Sequence, residues 1–381
     1  LGMQMYGNDL NPVAWFVVKN ELAQVDPKEV QDLLDQIEAQ VKPQIMPFYA
    51  CDCPRGHRGT WTQKSTGKVM GKDFDPLVLK PEVRSDFTYK GPEVIYTFWA
   101  KHGPCEATGC EHRTPIMSSP VIAVKTLTVK SWQNITCGSC KKTFDIEEQD
   151  ARMAPAALFV VSPNEPPYTV RNEDGSYTCP HCGLKRAFSL GKPKNKSVDL
   201  TLLIHPDWLK GSPGKSKNAD QFGGSATDDA ASTALWNAER QKNLKFIEVR
   251  GPLPDEIECP DTKEIFGTDT GTVPKKSTFI CMESTCGKQW DVLNAIKRTK
   301  KSGPMAAYSI QGYCPTCDHE NRPYSGRFFS IPNCKAVDAA NHEWAARKEQ
   351  DLASFWPKSE VPFGFMTSMN NGGIPNHGFT H

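Results

Sequence analysis

Four short cysteine pairs limit what this chain can fold into. Cys137-Gly-Ser-Cys140 is followed, after a long insert, by Cys179-Pro-His-Cys182-Gly183. Cys281-Met-Glu-Ser-Thr-Cys286-Gly287 is followed, after a shorter insert, by Cys314-Pro-Thr-Cys317. Each pair has the spacing of a knuckle, two thiols on a tight turn where Gly or Pro lets backbone amides point back at sulfur. A tetrahedral soft ion needs two such pairs. Cys137, Cys140, Cys179 and Cys182 therefore predict one zinc ribbon, and Cys281, Cys286, Cys314 and Cys317 predict a second.

The competing reading of the same cysteines is a disulfide framework, which needs an oxidising compartment. No basic, apolar and cleavable leader pattern opens the chain, and no apolar run reaches the length of a membrane span. The expectation is a cytoplasmic protein with no membrane partner, whose cysteine pairs hold metal. Balanced charge, a net +1 over 381 residues, gives no global field toward nucleic acid, so any such contact must come from local patches. With 30 Pro, 28 Gly and a hydrophobic share of 38%, the chain suits small metal-stapled modules joined by loops better than one large core.

A third zinc site is expected earlier in the chain. Cys105 and Cys110 form a knuckle. Its partner is Cys51 with Cys53 or Cys53 with His57, and His102 and His112 supply spare nitrogens. Cys259 and Cys334 stand alone and read as ordinary buried thiols. The zinc count is two to three per chain.

Asn11 and Pro12 read as the cap and first residue of a helix over Val13–Leu22, which follows a strand ending near Asp9. An acid at that place either binds a ribose or helps to cap the helix. Asp26-Pro-Lys-Glu29 opens a second helix expected to end before Pro43 and to pack Val30, Leu33, Leu34, Ile37 and Val41 on a core. Further on, Val121–Trp132, Val198–His205 and Phe246–Arg250 read as strands. Gly211–Ser225 reads as a flexible loop, and Asp228 to about Lys242 and Asn341–Phe355 read as helices.

The stretch Asn8-Asp9-Leu10-Asn11-Pro12-Val13-Ala14 resembles a characteristic segment of the large adenine-specific DNA methylases. These depend on S-adenosylmethionine, are associated with anti-phage genes and carry cysteine-rich inserts. The Cys105–Cys110 pair, Gly271-Thr-Val-Pro274 and the closing Pro362-Phe-Gly-Phe365…Gly373-Ile-Pro-Asn-His377-Gly-Phe-Thr-His381 agree with the resemblance. It implies that Asp9 binds the cofactor ribose, that Leu10 flanks the adenine and that Asn11 lies at the same edge. The family's Gly-rich cofactor loop and Asp-Pro-Pro-Tyr catalytic loop are not among these residues, so the resemblance implies an internal fragment, inactive alone, that partners the remaining methyltransferase core.

The expected fold class is α+β, a partial Rossmann-like methyltransferase edge followed by zinc-ribbon modules with short antiparallel strands and a few helices. In order these are the core edge (1–24), a linking helix (25–48), a zinc-binding module (49–132), a zinc ribbon (133–206), a loop with a helix-strand connection (207–250), a second ribbon (251–335) and a return segment (336–381). The parent enzyme would methylate N6 of adenine in DNA after extruding the base. The insert would recognise or clamp DNA through the basic residues Lys185, Arg186, Lys194, Lys297 and Arg298 beside the knuckles. The alternative is a non-catalytic zinc-ribbon module that binds nucleic acid or protein. Asn164-Glu-Pro-Pro-Tyr168 has the outline of an amine-methylating loop, but Glu165 is one methylene too long and the stretch lies between knuckles. It reads as a Pro-rich loop. Asn376, His377 and His381 are given no role.

Overall fold

The computed structural model describes residues 12–21, 23–110, 112–187, 190–211, 240–274, 277–292, 294 and 305–351. The chain is α+β and divides into two units, residues 1–47 with 62–88 and residues 48–61 with 89–381.

The first unit holds α1 (Pro12–Glu21), most of α2 (Pro27–Tyr49) and the short α3 (Pro81–Arg84). Asp26 opens α2 by accepting from the Lys28 amide at 2.8 Å, and Pro27 fills the first helical position, where its missing N–H costs nothing. Two expectations for α2 are corrected. The helix continues through Pro43 and Pro47, and its last turns bury Met46 and Pro47, which offsets the hydrogen bond that an interior proline removes. The apolar stripe of Val30, Leu33, Leu34, Ile37 and Val41 does not enter a core; all five are exposed, since the described residues supply nothing to cover them. Strands β1 (Thr60–Gln63) and β2 (Phe87–Lys90) pair as a two-stranded sheet.

The second unit contains β3 (Glu93–Pro104), β4 (Arg113–Pro115), β5 (Val121–Thr136), β6 (Thr143–Glu147), β7 (Phe159–Val161), β8 (Tyr168–Val170), β9 (Ser176–Thr178), β10 (Lys185–Ala187) and β11 (Lys194–Ile204). These are followed by β12 (Phe246–Arg250), β13 (Glu256–Glu258), β14 (Ile265–Gly267), β15 (Thr278–Ile280), β16 (Gln289–Asp291), β17 (Met305–Tyr313) and β18 (Arg327–Ser330). Helices among its described residues include α4 (Pro206–Leu209), α5 (Pro315–His319) and α6 (Cys334–Asp351). The helix α6 starts before the expected Asn341. Of the helix expected from Asp228, only residues 240–242 fall among the described residues, and they are helical.

Two sheets make the core. One has six strands in the order β7-β12-β11-β5-β6-β8, the other four in the order β18-β17-β3-β4. Strand β5 alternates as its sequence suggests, with Leu127, Val129 and Ser131 buried and Thr126, Thr128 and Lys130 exposed. Leu127 and Val129 of β5 and Val198, Leu200, Leu202 and Ile204 of β11 meet Ala100, Ala306 and Phe329 of the smaller sheet, with Trp208 and Phe246 in the same cluster. The other face of β11 and β12 is covered by the β13–β14 hairpin, where Leu203, Ile247 and Val249 pack on Ile257 and Cys259. Burial on both faces explains why β12 is fully buried although it carries Glu248 and Arg250.

One register separates the Cys51–His57 loop from Cys105. Strands β3 and β17 run antiparallel, with Tyr313 opposite Glu93 and Met305 opposite Lys101. The loop before β3 is tied to its start by the Cys51 amide, which donates to Pro92 O at 3.1 Å. At its other end β3 leads directly into Cys105. The Cys51–His57 loop therefore lies at the end of the ladder where β17 runs into Cys314, and Cys105 lies at the opposite end.

Candidate metal centres

Among the described residues, three groups of four soft donors lie close enough to hold a metal ion, each with its donor atoms within 4.8 Å of one another. The first is Cys137, Cys140, Cys179 and Cys182, as the spacing predicts. The other two correct the expected pairing. Cys281 and Cys286 meet Cys105 and Cys110, while Cys314 and Cys317 meet Cys53 and His57. The cause is the β3–β17 register, which brings each end of the ladder to a different knuckle. Cys51 is not among these donors. It packs beside the third cluster, its thiol pushed up to about 12 by burial and then by the Asp52 charge. His57 supplies the fourth donor in its place.

In the first centre both knuckles are the same turn. The Cys137 amide donates to Lys142 O at 2.9 Å, and the Lys141 amide to Cys137 O at 3.1 Å. The Cys179 amide donates to Leu184 O and the Gly183 amide to Cys179 O, both at 2.9 Å. Sulfurs face across, Cys137 to Cys182 and Cys140 to Cys179, each at 3.8 Å. The amides of Cys140 and Ser139 point at the Cys137 sulfur and hold its thiol down to about 6. A small core of Trp132, Phe144, Ile146 and Tyr177 supports this centre.

In the second centre Cys105 faces Cys286 at 3.6 Å and Cys110 faces Cys281 at 3.7 Å. The indole N–H of Trp290 donates to the Cys105 sulfur at 3.2 Å, and the Lys288 amide lowers the pKa of Cys286. Phe279, fully buried on β15, lies flat against Gly103, where an added Cβ would come 2.4 Å from its ring.

In the third centre Cys53 faces Cys317 at 3.6 Å. His57 Nδ1 lies 3.4 Å from the Cys314 sulfur and 3.3 Å from that of Cys317. The other ring nitrogen lies 3.8 Å from the Glu320 carboxylate, on the side of the ring away from the sulfurs. The knuckle at Cys314 caps α5, with the Cys317 amide aimed at the Cys314 sulfur at 3.5 Å.

The signal for this grouping was present in the spacing. Cys105–Cys110 and Cys281–Cys286 both have four residues between their cysteines, and the matching pairs share a centre. None of the 14 cysteines is in a disulfide. The solitary Cys259 is buried with its sulfur 3.0 Å from His205 Nε2. The thiol of Cys334, the other cysteine outside the sequence pairs, is pushed up to about 11 by burial.

The Asn164–Tyr168 stretch is a structural clamp. Arg250 makes a two-pronged pair with Glu147, Nη1 to Oε2 at 3.1 Å and Nη2 to Oε1. Its guanidinium lies 3.8 Å from the centre of the Tyr168 ring and its Nε 3.5 Å from Glu165. Lys196 bridges Asp145 and Glu165, each at 3.0 Å.

Of the residues read as DNA contacts, Lys185, Arg186 and Lys194 are exposed, and Lys185 is paired with Asp174 at 2.9 Å. Lys297 and Arg298, and the cofactor residues Asp9, Leu10 and Asn11, lie outside the described residues, as do Asn376, His377 and His381. Among the described residues no helix is long and apolar enough to cross a membrane. No family model, curated protein or solved structure matched the chain.

Proposed function

We propose that the chain binds three zinc ions and forms the DNA-gripping insert of an S-adenosylmethionine-dependent adenine methylase. The observation that carries the metal reading is the sulfur spacing. A tetrahedral ion with metal–sulfur bonds of about 2.3 Å sets neighbouring sulfurs about 3.8 Å apart, and facing sulfurs here lie 3.6–3.8 Å apart. Donor sets of four thiolates, or three thiolates and an imidazole, with all four positions filled by protein, suit a structural zinc ion. Cys137, Cys140, Cys179 and Cys182 would hold one ion, Cys105, Cys110, Cys281 and Cys286 the second, and Cys53, His57, Cys314 and Cys317 the third. Zinc supplies folding energy in such sites and takes no part in chemistry.

The methylase reading is supported by the resemblance of residues 8–14, with Asp9, Leu10 and Asn11 as cofactor contacts. DNA as partner is supported by the exposed Lys185, Arg186 and Lys194. The open apolar faces of α1 and α2, with Phe16, Leu33 and Leu34 each more than half exposed, favour a second reading as a zinc-stapled adaptor for another protein. Elemental analysis of the purified chain, together with duplex-DNA binding before and after chelation, tests the first. Three zinc ions and binding lost on chelation support it; absence of zinc, or no binding to any duplex by the loaded chain, rejects it.

A further inference from the structure

The first metal centre carries charge where its backbone would favour glycine. After Cys137 the turn needs a left-handed residue, and Lys141 supplies it at φ 59°. The equivalent positions in the turns after Cys179 and before Lys288 are Gly183 (φ 74°) and Gly287 (φ 59°). A side chain in that conformation costs about 1 kcal/mol or more, so Lys141 is not the residue the turn alone would select. Lys263 takes the same conformation after Cys259, but it is paired with Glu258 at 3.4 Å. No ion pair among the described residues involves Lys141, Lys142 or Arg186, and all three are exposed.

The two knuckles bring these residues together. Arg186, on β10, reaches across to the other knuckle, where a Cβ added to Gly138 would come 2.6 Å from its guanidinium Nη1. Lys141 and Lys142 follow directly on the same turn. Lys185 points its charge into Asp174 and contributes less. Segments some 40 residues apart thus present Lys141, Lys142 and Arg186 on one tip, where the Trp132–Tyr177 core, the His181–Thr143 O contact at 3.0 Å and the shared donor set tie the two knuckles together.

We propose that Lys141, Lys142 and Arg186 form a phosphate-binding tip that grips the backbone of duplex DNA without reading sequence, assembled by the ion at Cys137, Cys140, Cys179 and Cys182. This rests on the DNA reading above and adds the surface, its residues and its dependence on metal. Lys141→Gly, Lys142→Gln and Arg186→Gln are compared with wild type in the full zinc-loaded chain, by fluorescence anisotropy on a labelled duplex of mixed sequence across a salt series. Each lost phosphate contact should weaken binding about fivefold at physiological salt and lower the salt slope by about one. Lys141→Gly should at the same time raise the melting temperature, because it relieves the turn. Lys263→Gly is the control, more stable with unchanged binding. Cys182→Ser, which removes the ion, should weaken binding at least as much as the three tip substitutions combined. Wild-type binding with the three variants unchanged would overturn the tip while leaving DNA binding to another surface. No binding by wild type would remove both.

Discussion

Cys53 and Cys317 are separated by 264 positions in the chain, yet their sulfurs lie 3.6 Å apart. Cys105 and Cys286, separated by 181 positions, are also 3.6 Å apart. These two contacts sit at opposite ends of the β3–β17 ladder. An ion at each end would close two very long loops around one strand pair, and closing them from an unfolded chain is the entropic cost that metal binding offsets.

The packing of Phe279 on Gly103 links the core to the second centre. Gly103→Ala would place a methyl within 2.4 Å of the ring, two residues from Cys105. The expected outcome is a chain that loses one zinc of three and keeps the other two, read by elemental analysis after mild chelation. Full zinc content with an unchanged melting curve would show that the ring can move aside.

Arg250 is buried with its partner Glu147. Arg250→Met leaves that carboxylate without its strongest donor and should destabilise the protein by roughly 3–5 kcal/mol. Glu147→Leu added to Arg250→Met should recover a large part of the loss, because no buried charge then lacks its partner. Denaturant melts of the two variants with zinc bound check this, and equal loss in both would contradict it.

Glu248 is buried on β12, one carboxylate oxygen accepting from the Ala154 amide at 2.9 Å. Burial raises its pKa from 4.5 to about 7. The folded state therefore holds a proton that the unfolded chain releases at lower pH. The stability this gives is present in acid and is lost as pH rises from 4.5 through about 7. Glu248→Gln keeps the acceptor and removes the ionisation. It should be more stable than wild type by on the order of 2 kcal/mol at about pH 8, with a smaller difference at about pH 6. Urea melts at the two pH values, both with zinc present, check the sign; an equal difference at both would show that Glu248 does not titrate with folding.

Much of this fold was legible in local pattern. The alternation of Val121–Trp132 gave β5, the run Phe246–Arg250 gave β12, and Cys137–Cys182 gave the first centre, whose knuckles are neighbours in one small core. What sequence order concealed was the long-range pairing. Reading Cys281–Cys286 with the next cysteines along assumes that metal sites close locally, whereas the β3–β17 register sends the two knuckles to different ends of a ladder. His57 was visible as one option among several, and only the folded loop selects it over Cys51. The apolar stripe of α2 was also legible, but periodicity tells which face is apolar and not whether anything covers it.

Zinc stoichiometry of paired variants tests the grouping of ligands most directly. Cys110→Ser with Cys286→Ser removes two donors from one centre, whereas Cys286→Ser with Cys317→Ser removes one donor from each of two centres. The first pair should leave two zinc ions per chain and the second pair one. The reverse result, one ion for the first pair and two for the second, would mean that Cys281, Cys286, Cys314 and Cys317 share a single ion and that the crossed arrangement is wrong.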